Sequence, residues 1–265
     1  MGGDARLRHS DWLAPVWDAA DVGALMTTRQ GGVSAAPFDR FNLRAGVGDD
    51  AQAVARNQRL LERAIGARPV FLNQVHGASV VRLTEADARP AAVAHTADAS
   101  VTTEPGIACT VQVADCLPVL FAAPQARAVG AAHAGWRGLA RGVLEATLAA
   151  LCEAGNCRPD AVQAWLGACI GPANFEVGPE VLEAFGVSPS ALQRSSSRFI
   201  ATQPGKWLAD LPALARDRLH AAGVHAISGG DWCTVADPSR FFSFRRDRVT
   251  GRMAAAVWVE PGRGR

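Results

Sequence analysis

The chain of 265 residues contains no tyrosine and only six histidines, and it lacks the short signatures that announce most familiar sites. No pair of its six cysteines, Cys109, Cys116, Cys152, Cys157, Cys169 and Cys233, has the C-x-x-C spacing of a zinc ribbon or a thioredoxin-like site. There is no G-x-G-x-x-G after a strand, no G-x-x-x-x-G-K-S/T, no H-E-x-x-H and no G-x-S-x-G, so dinucleotide, P-loop, zincin and nucleophile-elbow chemistry are excluded. His76 is followed by Gly77-Ala78 rather than the H-x-E of the zinc-dependent base deaminases. No apolar run approaches the roughly 20 residues that span a bilayer, and MGGDARLRHSDWLAP has no apolar signal region. The expected compartment is therefore the reducing cytoplasm, with most cysteines free and buried and no membrane partner.

Charge is equally unassertive. A net charge of +2 gives no reason to expect a nucleic-acid partner, and 49% hydrophobic with 20% charged residues is ordinary globular composition. No repeat and no linker divides the chain, which points to one domain over residues 1–265. Arg240, Arg245, Arg246, Arg248 and Arg252 do gather near the end. A solvated basic face and a site for an anionic ligand both fit them.

The most informative stretch is Ala114 to Gly138, ADCLPVLFAAPQARAVGAAHAGWRG. Leu117 to Ala123 is short, apolar and closed by Pro124, as a buried strand would be. Ala128 to Ala132 reads as a second strand ending at His133, after which Gly135 to Gly138 turns the chain into a helix. Two strands joined at Pro124-Gln125 bring Cys116 and His133 together, as a metal site or as a nucleophile with its base. His76, at a turn after the Pro69–Leu72 strand, is a third donor. N, S and N donors suit zinc with an open fourth position. A buried cysteine with two unrelated histidines is the alternative.

Elsewhere, strands are expected at 23–28, 80–83, 99–102, 107–113, 162–166, 224–227 and 253–259. Helices are expected at 51–65 after Asp49-Asp50, from Gly138 to about Ala154 with Gly155 as terminator, at 179–186, and from Asp210 to Gly223. Ser188 to Ser197 reads as mobile, and Trp12 and Trp17 as part of an edge strand or irregular lead-in. Adjacent strand pairs separated by single helices indicate α+β with mixed sheets covered by helices. Arg137 follows His133 in the first helical turn, where a guanidinium and free N–H groups would receive an anion. In the loop RQGGVSAAPFDRFNL, Arg29 and Asn42 are the polar side chains to watch. Asp98 and Asp115 are candidates to support the ligands from behind, or simply to cap local backbone.

NQVHG, ADCLPVLF, HAGWRGLARGVLE, WLGACIGPANFEVG, KWLADL, FFSFRRD and TGRMA, with TTRQGGVS and FNL near the start, resemble the YfiH-like family, also called the laccase-domain or polyphenol-oxidase family. The likeness runs from about Thr27 to Trp258. It implies a four-layer α/β/β/α arrangement and a zinc site at His76, Cys116 and His133. It also implies phosphorolysis of purine nucleosides (adenosine, inosine, methylthioadenosine) to free base and ribose 1-phosphate, with some adenosine deamination. Phosphate would be held by Arg137 and Arg29, with Asn42 orienting ribose or phosphate, in a monomer or small homo-oligomer. Phe244 stands where the family often has tyrosine, and Cys169 replaces a small apolar residue. Three rivals remain: a multicopper oxidase, which six histidines without an H-x-H pair would supply poorly; a cysteine hydrolase acting on an amide of peptidoglycan precursors; and a non-catalytic binding protein.

Overall fold

Along β13 (Met253–Val259) every side chain is buried, but the two alternating sets go to different places. Met253, Ala255 and Val257 pack among residues of a second sheet, while Ala254, Ala256 and Trp258 join Leu61 and Ile65 of helix α1 (Ala51–Ile65). Period-two alternation with both faces apolar is the mark of a strand covered on both sides. The computed structural model, which describes residues 8–89, 92–188 and 198–261, builds four layers on this principle.

The first sheet has four strands in the order β1-β13-β5-β2, with β1 (Val22–Met26), β2 (Arg68–Phe71) and β5 (Ile107–Val113). The second has six, in the order β12-β8-β6-β7-β4-β3: β3 (Val80–Arg82), β4 (Ala99–Thr102), β6 (Leu117–Ala122), β7 (Val129–Ala134), β8 (Gln163–Leu166) and β12 (Ala226–Gly229). Each sheet mixes parallel and antiparallel pairs. Helix α1 covers the first sheet, while α3 (Val143–Gly155) and α5 (Leu211–Ala221) cover the second. This is α+β in the α/β/β/α order.

Local chemistry explains the helix ends. Asp50 accepts from the backbone N–H groups of Gln52 and Ala53 to cap α1, and Gly66 closes it at φ 68°. Asp210 caps α5 through Ala213 N–H. The helix expected from Gly138 is instead two pieces, α2 (Trp136–Ala140) and α3, because Gly142 takes φ 88° between them. Nor does Gly155 stop α3: it is the last helical residue, and Asn156 provides the left-handed turn.

A peripheral sheet and the burial of the cysteines differ from expectation, while the stretch with Trp12 and Trp17 is the irregular lead-in expected. A small sheet in the order β10-β11-β9, formed by β9 (Glu176–Val177), β10 (Phe199–Gln203) and β11 (Lys206–Ala209), has no counterpart in the sequence reading. Its outer strand is mostly exposed, so it lacks the apolar run by which the buried strands were found. Trp12 and Trp17 are half-buried, and only Leu13 in this lead-in bridges Met26. Of the six free cysteines only Cys109 and Cys169 are fully buried. Apart from Ser188, the stretch read as mobile lies outside the described residues. Among the described residues, no helix is long and apolar enough to cross a membrane.

Candidate metal and anion site

Strands β6 and β7 pair in antiparallel register, with Pro118 opposite His133, so Cys116 just before β6 meets His133 near the end of β7. His76 arrives from the segment between β2 and β3, at φ 60°. Its Nε2 lies 3.7 Å from Cys116 Sγ, and one donor atom from each of the three residues falls within 4.8 Å of the others. Tetrahedral zinc with bonds of about 2.1 Å to nitrogen and 2.3 Å to sulfur separates its ligands by about 3.5 Å, so the His76–Cys116 spacing fits.

Asp98, fully buried, organises this group. Its carboxylate accepts hydrogen bonds from the backbone N–H of Val75 (3.2 Å), His76 (2.8 Å) and Gly77 (2.7 Å), which holds the left-handed turn at His76. It also lies 2.8 Å from His133 Nδ1, leaving Nε2 of that ring for the cluster. Desolvation would raise its pKa, but these bonds hold it below the ordinary carboxylate range. Asp115 does something different: at φ 93° it accepts from Thr234 Oγ1 and Arg245 N–H, both at 2.6 Å, and so ties the segment after β12 to the site.

Burial pushes the Cys116 thiol up, but the His133 charge and hydrogen bonds from both imidazoles outweigh it and bring the pKa down to about 6. Burial lowers His133, whereas the Cys116 and Asp98 anions raise it to about 9. Both shifts run in the direction that favours a thiolate beside an imidazolium. Gly135 leaves room for it, since a Cβ there would stand 2.9 Å from Cys116 Sγ and 3.0 Å from His76 Cδ2.

The three residues open into a cavity of about 520 Å³. Five arginines line it: Arg44, Arg137, Arg245, Arg248 and Arg252. None has a carboxylate partner within ion-pair distance among the described residues. Arg252 is half-buried, and desolvation together with the nearby Arg44 charge lowers its pKa. Cys116 and Asp115 act in the opposite direction, but neither arginine is ion-paired among the described residues, and two adjacent cations of this kind favour an anion in the cavity. Arg137 reaches the cavity stacked on Trp136, 4.3 Å from the ring centre, but α2 is too short to add much of a helix dipole.

Arg29 and Asn42 do not line this cavity. The Arg29 guanidinium is consumed by Asp39 O (2.8 Å), Pro238 O (3.0 Å) and Asp39 Oδ2 (3.1 Å), and it fixes two loops to each other. Asn42 is buried, and its Oδ1 accepts from the backbone N–H of Arg44 (3.1 Å) and Arg252 (2.9 Å). It therefore brackets the two inner arginines. Arg44, directly after the FNL motif, lines the cavity although no local sequence signal sets it apart from Arg29. Of the terminal arginines, Arg245, Arg248 and Arg252 reach the cavity. Arg246 is spent on backbone carbonyls of Thr234, Val235 and Phe241, and Arg240 donates to Asp11 O.

This fold is that of a known group. Residues 23–260 match the family described as multi-copper polyphenol oxidoreductase laccase, and the chain belongs to that family, the YfiH or DUF152 proteins. It is 51% identical over 251 residues to a protein of Pseudomonas aeruginosa named purine nucleoside phosphorylase, covering 94% of this chain and 98% of the relative. It is 46% identical to the Escherichia coli protein named purine nucleoside phosphorylase YfiH, covering 94% and 99%. A crystal structure of a Neisseria meningitidis DUF152 protein superposes with a TM-score of 0.86 at 42% identity, over 95% of this chain and all of the other.

Proposed function

We propose that the protein is a zinc-dependent purine nucleoside phosphorylase, cleaving adenosine, inosine and methylthioadenosine with phosphate and deaminating some adenosine at the same site. The observation that carries this reading is Arg44 and Arg252, neither of them ion-paired among the described residues, opening onto the same cavity as His76, Cys116 and His133, because phosphorolysis needs a bound oxyanion beside a polarising centre. Relatives named purine nucleoside phosphorylase over nearly their whole length support it.

In this reading His76, Cys116 and His133 hold the metal, with Asp98 fixing the His133 tautomer. Bound zinc would supply Lewis acidity and, for deamination, an acidified water. Arg44, Arg252 and Arg137 bind phosphate and orient one of its oxygens toward the anomeric carbon. Gln112, whose Oε1 lies 3.4 Å from Arg44 Nη1, steadies the inner guanidinium. Trp136 and Phe175 give the cavity apolar walls against which a purine can lie. The reaction is cytoplasmic in this proposal, and its partners are nucleoside and phosphate only.

The copper name of the family fits this chain's donors poorly. Among the described residues the only cluster of three or more histidine, cysteine or acidic side chains is this one, and it offers two imidazoles. A second reading, a cysteine hydrolase, is favoured by one observation: the lowered Cys116 pKa beside His133. Metal analysis and product chromatography separate the two. Adenosine with phosphate should yield adenine, phosphate omission or His76→Ala should abolish it, and the protein should carry about one zinc per chain. Adenosine left intact under both conditions would overturn the phosphorylase reading.

A further inference from the structure

The cavity holds more positive charge than one phosphate requires. Arg44 and Arg252 are half-buried, whereas Arg137, Arg245 and Arg248 stand exposed toward the mouth. The last two are not loosely solvated side chains. Arg245 lies over Phe175, 5.6 Å from the ring centre, and donates to Glu176 O at 3.1 Å, while Arg248 lies over Phe244 at 5.9 Å. Both rings line the same cavity. A guanidinium stacked on a ring keeps its N–H edge free for an anion and loses less freedom on binding.

Among the described residues, the five arginines of the cavity wall face one carboxylate, Asp115, and the Cys116 thiol. The two oxygens of Asp115 accept from Thr234 Oγ1 and Arg245 N–H, so neither guanidinium at the mouth is paired with it. Helix α6 (Phe244–Asp247), which presents Arg245 and runs into Arg248, is anchored by that bond and by Ser243 capping Arg246 N–H. The outer cations are therefore carried on a fixed element.

We infer that Arg245 and Arg248 form a second anion subsite, so that the preferred substrate is a nucleoside carrying a phosphate of its own, a nucleoside 5′-monophosphate. The inference rests on the nucleoside reading above and narrows its substrate class. In the reaction, an oxygen of inorganic phosphate bonds to C1′ as the C1′–N9 bond breaks. The bond pair goes to N9, which takes up a proton, and the sugar leaves with phosphates on C1 and C5. No oxidant or further reactant is needed.

The test is equilibrium binding of adenosine and of adenosine 5′-monophosphate to the zinc-loaded protein, followed by kcat/KM for each with inorganic phosphate. The monophosphate should bind at least tenfold tighter at low salt, and the advantage should shrink as salt rises. In Arg245→Ala/Arg248→Ala the ratio of the two affinities should fall toward one. Equal affinities in the unaltered protein, with adenosine still cleaved, would overturn the second subsite and leave the phosphorylase reading intact. Binding of neither compound would overturn both.

Discussion

The carboxylate of Asp98 lies 2.8 Å from Nδ1 of His133, and the same group holds the backbone N–H of His76. One buried acid thus aims one imidazole of the cluster by its ring and the other by its main chain. Asp98→Asn keeps the volume but loses the charge and some acceptor capacity. Zinc affinity should fall by about 10- to 100-fold, as for other supporting carboxylates. Competition with a chromophoric chelator measures it; unchanged affinity in a folded variant would refute the role.

Gly135 should tolerate no side chain. Its φ of −63° and ψ of 158° suit alanine, so the backbone is not the obstacle. The added Cβ would instead push on Cys116 and His76. Gly135→Ala is expected to lose most of its metal while retaining a cooperative thermal transition. Full zinc occupancy by mass spectrometry would show that the ligands have more room than these distances allow.

The stripped protein should have an acidic thiol. Cys116 is lowered from 9.0 to about 6, so its contribution to stability is full above pH 9.0 and fades as pH falls through about 6. His133 is raised from 6.5 to about 9, so its contribution is full below pH 6.5 and fades as pH rises through about 9. Alkylation of Cys116 by iodoacetamide should be half-maximal near pH 6, and should move toward 9 in His133→Gln. Added zinc should suppress it. A midpoint near 9 in the unaltered protein would remove the ion pair from the account.

The inner arginines and the bracket that holds them should affect phosphate more than nucleoside. Losing a charge-assisted hydrogen bond of about 1.5–3 kcal/mol raises KM by about 10- to 100-fold, which is the expectation for phosphate in Arg252→Ala. Asn42→Ala leaves two backbone N–H groups without their acceptor, and should raise the phosphate KM while costing about 1–3 kcal/mol of stability. Arg29→Ala, at a residue that does not line the cavity, should lower the melting temperature but keep the phosphate KM within about twofold. Steady-state kinetics with varied phosphate, set beside thermal melts, would expose the reverse ranking if it exists.

What the sequence determined by itself was local. Asp50 and Gly66 bounded α1, the short apolar runs gave β5, β6 and β7, and the hairpin at Pro124-Gln125 already implied that Cys116 meets His133. Capping, turn chemistry and period-two burial act over a few residues, so they can be read from a few residues. The break at Gly142 and the half-exposed strands β9 to β11 escaped because a lone glycine is tolerated inside many helices and an exposed strand need not be apolar.

The tertiary structure alone decided which polar residues face the cavity. Arg29 and Arg44 sit in neighbouring stretches of equal polarity, yet Asp39 and Pro238 consume the first while Asn42 aims the second toward Arg252. Arg246 and Arg248 are two positions apart, and only the second is left free of backbone carbonyls to line the cavity. A guanidinium's role depends on which acceptors lie within about 3 Å of it, and those come from distant parts of the chain that only the folded layers bring together.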